Sequence, residues 1–527
     1  MTYLISNLSF PLCQQEPEFE KTVKQYLHCQ AQDIGKIVVY KRSVDARKRD
    51  QIKLSYTLAV TVHEGVQVPE SPYIKELRED TPSIQFGDRK MRHRPVIVGM
   101  GPAGMFCGLM LAKSGFCPII LEQGAPVEER VADIASFWNN GILNPNSNIQ
   151  FGEGGAGTFS DGKLMTRIND SYCRYVLEQY VHCGAPEEIM MLAKPHIGTD
   201  LLQKVVVNLR NEIIALGGEV RFHERVTDIE TENGSVTAVV SQNGKIPCET
   251  LILATGNAAR PIFECCLKRG VEIAAKPFSV GVRIEHLQQQ VDEALYGKFA
   301  GHPLLGHAEY QLSDRDSSTG RAVYTFCMCP GGVVVPAASE PEGIVTNGMS
   351  YHLRDGKNAN SALAVSVDSR DFGNHPLAGI DFQRMLERAA YRQTGCYRAP
   401  IQTVGRFLAE KAGADAGAIH PTYAGGTAPG DFHRLFPQFI TEKLKSGIVL
   451  FGRRQRGFNV PDALMTAPET RTSSPVRILR GEDYQSTSLR GLYPCGEGSG
   501  YAGGIMSSAV DGIHAALALI REYAPID

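Results

Sequence analysis

The chain has 527 residues, of which 43% are hydrophobic and 21% charged, so it has the composition of a globular protein and room for roughly three domains. Its net charge of −3 argues against bulk attraction to nucleic acid or to an anionic membrane. The sequence has no secretory signal, no apolar run of membrane-spanning length, and no CxxC pair or zinc-type spacing among its 13 cysteines, so we expect a cytoplasmic protein with reduced thiols and no metal site.

The N-terminal part predicts a small α+β module followed by a linker over 66–90. The strand Tyr3–Ile5 precedes a helix over about 18–29 and the strands Lys36–Tyr40 and Ile52–Val62, of which the second alternates apolar and polar residues. The turn between these two strands is either a solvated hairpin tip or an RNA or partner surface, and we favour the tip. Its basic residues are Lys41, Arg42, Arg47, Lys48, Arg49 and Lys53.

The stretch 94–123 predicts a strand, a tight turn, a helix and a second strand. Gly99, Gly101 and Gly104 have GxGxxG spacing, which allows a tight turn, close approach of the backbone to a pyrophosphate, and close packing of the helix on the sheet. The helix directs its positive end at the phosphates. Glu122, at the end of the second strand, is placed to accept hydrogen bonds from ribose hydroxyls. We therefore predict a dinucleotide site here.

A second glycine-rich stretch, NIQFGEGGAGTFSDGKLMTR, covers 148–167. Neither a helix nor a central strand tolerates its glycine density, and Phe151, Phe159 and the pair Asp161/Lys163 are unusual in a flexible linker. We expect a loop held close to a ligand rather than a flexible surface loop. The glycines in question are Gly152, Gly154, Gly155 and Gly157.

Downstream, the pattern predicts a helix and then a β-meander. Thr199–Ala215 carries an apolar stripe at helical spacing and stops before a Gly-Gly pair. An Asn-Gly turn joins the last two strands of the meander, which leads into the apolar strand Leu251–Ala254 and then Thr255-Gly256. The meander strands are Glu219–Phe222, Val226–Thr231 and Val236–Gln242.

Residues 276–475 contain no second nucleotide fingerprint, and we interpret them as a substrate or cap domain inserted into the first fold. The expected elements are the strands Phe278–Ile284, Val323–Met328 and Gly332–Pro336 and the helices Phe382–Gln393 and Phe436–Phe451. The last segment returns to the first pattern, because a strand and a glycine-dense turn with an acidic residue precede a final helix. These are Leu489–Pro494, 495–504 with Glu497, and Ile505–Tyr523.

Together these motifs resemble the FAD-binding fold of glutathione-reductase-type flavoproteins, since GxGxxG with a terminal acid, a meander ending in ATG, and GLYPCGE with GYAGGI before the last helix all occur. Stretches along nearly the whole chain, such as KRSVDARKRD, KPHIGTD, TFCMCPGGVVVPA and NVPDALMTAPETRTSSPVRILR, are similar to the bacterial family of FAD-dependent dehydrogenases, or FAD-dependent proteins. The resemblance implies an α/β fold with a glutathione-reductase-type FAD-binding Rossmann domain. This domain would cover 91–275 and 476–527, with a mixed α+β cap at 276–475 and the N-terminal module at 1–90.

The resemblance also implies which residues hold FAD. It places the pyrophosphate at the first glycine turn, the adenosine ribose on Glu122, the adenine against the backbone of Val226, and the ribityl chain beside Glu497. The flavin's pyrimidine edge would face the start of the last helix. The complete predicted set is Gly99, Gly101, Pro102, Ala103, Gly104, Glu122, Gln123, Gly155, Gly157, Lys163, Val226, Ala254, Thr255, Gly256, Gly496, Glu497, Gly503, Gly504 and Ile505.

The implied function is an FAD-dependent oxidoreductase, a dehydrogenase or reductase that uses non-covalent FAD on a small organic substrate. The second nucleotide fingerprint and the CxxC of the disulfide reductases are absent from the sequence, so NAD(P)H, if it is the reductant, binds transiently. Two alternatives stay open. One is a tRNA-modifying flavoprotein, for which the basic turn is the motive, and the other is a flavin-binding protein without turnover.

Several side chains can carry chemistry, and none is assigned as catalytic. Cys327 and Cys329, two apart on a predicted strand, are either a dithiol that exchanges electrons with a flavin or inert buried thiols, and we favour the inert pair. His196 can donate a proton or cap a turn. A basic cluster can bind a carboxylate or phosphate or form a solvated patch, and a fourth arginine and a glutamate on one strand can form a cross-strand polar face. The basic cluster is Arg453, Arg454 and Arg456, and the two strand residues are Arg283 and Glu285.

Overall fold

The computed structural model describes residues 1–12, 17–77 and 84–525. The N-terminal module is a four-stranded antiparallel sheet of order β2-β3-β1-β4, with the apolar face of one helix packed against it. Its elements are β1 (Thr2–Pro11), α1 (Phe19–Leu27), β2 (Ile34–Asp45), β3 (Lys53–Val62) and β4 (Ile74–Glu76).

The predicted strands and helix of this module are confirmed. Alternate residues of β3, from Leu54 to Val60, are buried against the helix, as the alternating pattern requires. The linker prediction is wrong at β4, where Ile74 pairs with Ile5 at the edge of the sheet. This three-residue strand has only one apolar residue and lies in a charged, Pro-rich stretch, so the sequence shows no strand pattern there. Residues 78–83 of the predicted linker lie outside the described part of the chain.

Residues 84–275 alternate strands and helices and contain an antiparallel three-stranded meander over 226–247. The predicted meander strand Glu219–Phe222 is instead part of the parallel sheet, where it pairs with the strand Ile119–Leu121. The predicted strand–turn–helix–strand unit is confirmed as β6, α2 and β7, and the predicted helix Thr199–Ala215 coincides with α5. The elements are β5 (Arg89–Lys90), β6 (Val96–Val98), α2 (Pro102–Lys113), β7 (Ile119–Leu121), α3 (Val127–Asn140), α4 (Tyr172–His182), α5 (Thr199–Ala215), β8 (Glu219–Arg221), β9 (Val226–Glu232), β10 (Ser235–Ser241), β11 (Gly244–Pro247), β12 (Leu251–Leu253), α6 (Arg260–Lys268) and β13 (Ile273–Ala275).

Residues 276–475 build a seven-stranded sheet with helices on it. The predicted strands and helices of this part are confirmed, with bounds that differ by up to four residues at either end. Its elements are β14 (Phe278–Leu287), α7 (Gln288–Tyr296), β15 (Ser313–Arg315), β16 (Ala322–Cys329), β17 (Val333–Pro336), β18 (Thr346–Met349), β19 (Asn358–Val367), α8 (Ser369–Phe372), α9 (Ala378–Thr394), β20 (Ala399–Thr403), α10 (Val404–Leu408), β21 (Thr427–Pro429), α11 (Phe432–Leu435), α12 (Gln438–Arg454) and β22 (Leu464–Glu469). The strand order is β15-β16-β19-β14-β22-β20-β21, and every pair except β20–β21 is antiparallel.

The C-terminal segment returns to the first unit, as the sequence predicts. It contains β23 (Val476–Ile478), β24 (Leu492–Pro494), α13 (Ile505–Glu522) and β25 (Tyr523–Ala524). Strand β24 completes a five-stranded parallel sheet of order β24-β12-β6-β7-β8, so neighbouring strands come from positions about 20 to 240 residues apart in the chain. The fold is therefore mixed α/β.

Helix α13 packs closely against α2 on one face of this sheet. A Cβ atom added at Gly512 would lie 2.1 Å from the carbonyl oxygen of Ala103, so the two helices touch through backbone atoms at that point. Apolar residues of both helices, such as Phe106 and Ile513, are fully buried in the same core. This contact brings the N-terminal ends of the two helices to the same edge of the sheet. No helix in the described residues is both long and apolar enough to span a membrane.

The strand β14 carries two charged residues that are fully buried. The interpretation of Arg283 and Glu285 as a cross-strand polar face agrees with their contacts, because Arg283 pairs with Glu469 of β22 and Glu285 accepts from Asn358 of β19, and this face is buried. One Glu285 oxygen accepts hydrogen bonds from Asn358 (3.0 Å) and Thr422 (2.6 Å). The other oxygen has no partner among the described residues, and burial raises the pKa of this carboxyl from about 4.5 to about 7.

A pH-dependent stability is expected from Glu285. Because its pKa is higher in the folded chain than in the unfolded chain, the proton stabilises the fold fully below about pH 4.5, and this contribution is lost as the pH rises to about 7. The free energy of unfolding, measured with urea, should fall between pH 5 and pH 8 by about 2–3 kcal/mol more for the wild type than for Glu285→Gln. The variant keeps a neutral group at this position at both pH values. Parallel pH profiles for the two proteins would contradict this expectation.

Candidate functional site

A cavity lies between the parallel sheet and the seven-stranded sheet. Its volume is about 240 Å³, whereas one water molecule needs about 10–15 Å³ by the same measure. Val98 and Leu121, at the carboxyl ends of β6 and β7, and Ala254, just after β12, line one side, and residues of β16, β18 and β22 line the other. Open parallel sheets bind ligands at this carboxyl edge.

The glycine turn between β6 and α2 forms one end of the cavity. Gly99 has a φ of 100° and packs so closely that an added Cβ would lie 2.7 Å from the carbonyl oxygen of Ala254. An added Cβ at Gly104 would lie 1.9 Å from the oxygen of Gly99. These two glycines are required by the fold itself. Gly101 lines the cavity and is roomier, since the protein atom nearest to an added Cβ is 3.9 Å away.

Apart from Gly104 and Gly496, every residue of the predicted cofactor set lines the cavity. These two glycines lie behind its wall, where they let α2 pack closely. An added Cβ at Gly496 would approach the Cβ of Ala103 to 2.7 Å, and the Gly496 N–H donates to Asp511 at 2.7 Å. Close packing therefore explains why both positions are glycine.

The carboxylate of Glu122 joins the glycine turn to the next loop. One oxygen accepts from the N–H of Met100, and the other accepts from the N–H groups of Gly124 and Gly152, all at 2.9 Å. A carboxylate has about four acceptor positions, so about one remains for a ligand on the cavity side. Glu122 thus has a structural role that the sequence did not reveal, in addition to its predicted place in the cavity wall.

The glycine-rich loop is fixed from behind by a buried arginine. Residues Gly155–Phe159 form a 3-10 turn, and Gly155 and Gly157 line the cavity. Arg130 of α3 is fully buried, and its guanidinium donates to four carbonyl oxygens of this loop at 2.6–3.0 Å. The loop is therefore a rigid wall rather than a flexible surface loop. No sequence signal distinguishes Arg130 from the solvated charges of its helix.

At the other end of the cavity, three glycines leave open space. A Cβ atom added at Gly256, Gly503 or Gly504 would meet no protein atom within 4 Å, although all three line the cavity. Thr255 beside them has a buried hydroxyl with no partner among the described residues. The missing side chains do not serve packing, so the space fits a ligand that approaches the backbone and can bond to this hydroxyl. Helix α13 directs its positive end into the same space.

Glu497 adds a carboxylate to this end. One of its oxygens accepts from the side-chain amide of Asn257 at 2.7 Å. Burial raises the pKa of Glu497, which makes it a group that can accept or share a proton with a hydroxylated ligand. Asn257 also lines the cavity, although no motif in the sequence singles it out.

The wall contributed by the seven-stranded sheet contains charged groups that sequence reasoning missed. Glu469 of β22 is bound through both oxygens by Arg283, at 2.6 and 2.9 Å. Arg283 also donates to the side chain of Asn347 at 3.2 Å, and Glu469, Asn347 and Arg471 all line the cavity. A second set of hydrogen bonds orients Arg471, which donates to Ser339 at 2.5 Å and to buried Glu387 at 3.2 Å.

Lys163 belongs to a chain of alternating charges at the cavity wall. Its ammonium donates to the carbonyl oxygen of Met328 and lies 3.4 Å from Glu309, which in turn lies 3.1 Å from Arg354. Arg354 also binds Asp161 through two hydrogen bonds. Burial acts to raise the pKa of Asp161, but Arg354 and Lys163 outweigh it and hold that pKa below its usual range. Lys163 is therefore a fixed cation rather than a mobile surface lysine.

The prediction that both thiols of the CxC sequence are buried and inert is wrong for Cys327. The pairing of β16 with β19 has a register shift between Phe326 and Cys329, and Cys327 has a φ of 47°. This bulge breaks the alternation on which the sequence argument depended. Cys327 is consequently exposed and Cys329 buried, and both line the cavity.

The remaining chemical candidates lie away from the cavity. The imidazole of His196 shares a hydrogen bond of 2.9 Å with the carbonyl oxygen of His352 and does not line the cavity, in agreement with the structural alternative. In the basic cluster, Arg454 donates to the carbonyl oxygen of Ser313 at 2.5 Å, and neither it nor Arg453 or Arg456 reaches the cavity. No three His, Cys, Asp or Glu side chains of the described residues converge as a metal site would require.

Comparison with known proteins adds a family assignment for two parts of the chain. A family model described as "FAD-dependent protein, C-terminal domain-like" matches residues 277–472, and a domain of unknown function matches residues 2–61. An uncharacterised protein of Clostridium beijerinckii is 42% identical over 529 aligned positions, which cover 99% of each chain.

Solved structures give weaker similarities. The flavin-dependent brominase Bmp2 is 14% identical, with 81% of this chain and 79% of that chain covered and a TM-score of 0.35. The glycerol-3-phosphate dehydrogenase from Bacillus halodurans, solved as a complex with FAD, is 11% identical, with 82% and 65% covered and a TM-score of 0.33. At these values neither protein identifies a reaction for this chain.

Proposed function

The protein belongs to a bacterial family of FAD-dependent proteins, and from this premise we propose that it is an oxidoreductase that holds FAD non-covalently in the cavity. Its substrate would be a small or medium-sized organic molecule. The observation that supports this most is the continuity of the cavity, which runs from the glycine turn of α2 to the start of α13 and is closed by the seven-stranded sheet. A long molecule with a phosphate-rich middle fits such a space.

The adenosine half of the cofactor would lie at the first glycine turn. There, Gly101 and Gly155 leave the backbone accessible, and the N-terminal end of α2 offers its partial positive charge to a pyrophosphate. The free acceptor position of Glu122 faces a ribose hydroxyl, and Val226 and Gln123 complete this part of the wall. On this basis the proposed arrangement would be of the glutathione-reductase type.

The flavin half would lie at the start of α13. When bound, FAD supplies the redox chemistry by taking up or giving two electrons. The residues of this chain bind and orient it: Gly503 and Gly504 leave room for the ring, and the N-terminal end of α13 favours negative charge on the ring when it is reduced. Glu497 and Asn257 are the hydrogen-bonding groups for the hydroxylated chain between the two halves.

The substrate would bind between the flavin half and the seven-stranded sheet. That sheet would exclude water from one side and present Cys327, Arg471 and Thr472 to the cavity, beside Asn347 of the neighbouring strand β18. Arg471 can hold an anionic group of a substrate because its hydrogen bonds to Glu387 keep it in place. NAD(P)H, which has no fingerprint of its own in the sequence, would bind here transiently to reduce the flavin.

The test is a measurement of flavin content and of flavin reduction. We expect a yellow protein with one FAD per chain, which denaturation releases because it is not covalently bound. Anaerobic addition of NADH or NADPH should reduce the flavin, so that its absorbance at about 450 nm falls. FMN, which lacks the adenosine half, is the matched control and should bind far more weakly. A colourless protein that rejects added FAD would contradict the proposal.

The same preparation separates the alternatives. Bound FAD that no pyridine nucleotide or organic donor reduces would indicate a flavin-binding protein without turnover. Co-purified RNA that dissociates at moderate salt would favour a tRNA-modifying flavoprotein. The basic turn gives that alternative little support, since Arg47 is paired with Asp45 and Arg49 donates to the carbonyl oxygen of Glu293.

A further inference from the structure

The two thiols at the end of β16 are placed differently from every other cysteine that the structure describes. Among those cysteines Cys327 alone is exposed, and it lines the cavity together with Cys329. The thiol of Cys329 is 3.5 Å from the carbonyl oxygen of Cys327, so it lies next to the residue that carries the exposed thiol. The cavity wall therefore carries two thiols from residues two apart in the chain, of which one is accessible and one is buried.

Two cations from different elements hold the backbone of this bulge. Arg283, which is fully buried on β14, donates to the carbonyl oxygen of Cys327 at 2.8 Å, and Lys163 of the glycine-rich loop donates to the next carbonyl oxygen, that of Met328. Arg283 is itself fixed by Glu469. The backbone that carries the exposed thiol is consequently held in place at the cavity wall.

We infer that Cys327 and Cys329 are a redox-active pair that exchanges two electrons with FAD, and that the substrate is a dithiol or the corresponding disulfide. This inference rests on the proposed function, because it needs FAD in the cavity. In a regular strand, alternate Cα atoms are about 6.6 Å apart, near the upper limit for a disulfide. The bulge replaces that regular geometry at this pair.

The electron balance of the reaction is closed by the dithiol and FAD. When the pair is oxidised, both S–H bonds break, one S–S bond forms, and oxidised FAD takes up two electrons and one proton while the second proton goes to solvent. An external dithiol then reduces the Cys327–Cys329 disulfide by thiol–disulfide exchange and leaves as its own disulfide. With reduced FAD as the donor, the same steps run in reverse and reduce an external disulfide.

The two cysteines have different parts in this exchange. Desolvation by the surrounding protein raises the pKa of both thiols, to about 12 for Cys329, although the Cys327 side chain faces the open cavity, while Arg283 and Lys163 act to lower the pKa of each. Both groups are protonated thiols at neutral pH, so each must lose its proton before it can attack a disulfide. Cys327 is the sulfur that an external substrate can reach, and buried Cys329 closes the internal disulfide.

The test is an anaerobic reductive titration of the FAD-loaded protein after oxidation with diamide and removal of the oxidant. The wild type should take up four electrons per FAD, two for the flavin and two for the disulfide. Cys327→Ser and Cys329→Ser should each take up two. Cys396→Ser, which removes a thiol that does not line the cavity, is the matched control and should still take up four.

A peptide measurement on the wild type keeps the inference testable if a variant fails to fold. Trypsin releases the peptide 322–354, which contains Cys327 and Cys329 and no other cysteine. After oxidation this peptide should be lighter by two hydrogens and should resist alkylation, and an external dithiol should reverse both changes. An FAD-loaded wild type that takes up two electrons and yields an unchanged peptide overturns the inference and leaves the proposed function standing, whereas failure to bind FAD overturns the proposed function.

Discussion

Replacement of Gly503 and Gly504 by alanine is expected to weaken FAD binding about 10- to 100-fold without unfolding the protein. The two added Cβ atoms would meet no protein atom within 4 Å, and the φ of Gly504 is −178°, which alanine also adopts. The apoprotein therefore has space for both methyl groups. A bound ring system would have to share that space, and overpacking of this kind costs about 1–3 kcal/mol.

The measurement is a fluorescence titration of the apoprotein with FAD, combined with thermal unfolding of the apoprotein. The FAD dissociation constant should rise, while the unfolding temperature of the apoprotein should stay within about 3 °C of the wild type. Gly35→Ala is the matched control, because an added Cβ there makes ordinary contacts of 3.5 Å or more on an exposed strand far from the cavity. It should change neither quantity.

A third glycine variant distinguishes glycines that leave room for a ligand from glycines that the packing of the fold requires. Gly104→Ala should destabilise the apoprotein strongly, since its Cβ would lie 1.9 Å from the oxygen of Gly99. If the Gly503→Ala/Gly504→Ala protein bound FAD as tightly as the wild type, the flavin could not lie at the start of α13. The cofactor orientation under Proposed function would then be wrong.

Local patterns predicted the elements around the site well. The unit β6–α2–β7, the helix α5 and the meander β9–β10 each depend on short-range periodicity and on glycines or Asn-Gly turns, which a sequence displays directly. The strand order of the seven-stranded sheet was not predictable, because β14 pairs with β19 and β22, which are about 80 and 180 residues further along the chain. The bulge at Cys327 depends on such a pairing, and this is why the thiol prediction was wrong there.

The glycines of the site were predictable, whereas its buried charges were not. Gly99 and Gly104 follow a known spacing, and Gly503 and Gly504 stand in a second glycine-dense turn. A buried arginine such as Arg130 looks in a sequence like any solvated arginine, because its partners are carbonyl oxygens of a loop about 20 residues away. Only the folded structure shows which charged side chains are buried.

The strongest effect on stability is expected where α6, α9 and β22 meet. Glu387 of α9 is 1% exposed and accepts hydrogen bonds from two buried arginines, Arg260 at 2.8 and 3.0 Å and Arg471 at 3.2 Å. Thr470 donates to the same carboxylate at 2.8 Å. Burial by itself raises the pKa of Glu387, but the two arginines outweigh burial and hold that pKa far below its usual range, so the group is ionised.

Glu387→Gln should therefore lower the free energy of unfolding by about 3–5 kcal/mol, because it leaves two guanidinium groups buried with reduced compensation. Urea unfolding of the apoprotein measures this loss. The matched control is Glu264→Gln, whose side chain is half exposed and contacts Arg384 at 3.3 Å; it should cost at most about 1 kcal/mol. A loss below about 1 kcal/mol for Glu387→Gln as well would mean that solvent or other groups compensate the arginines. Since Arg471 lines the cavity and depends on Glu387, the variant should also weaken FAD or substrate binding, an effect that Glu264→Gln cannot produce.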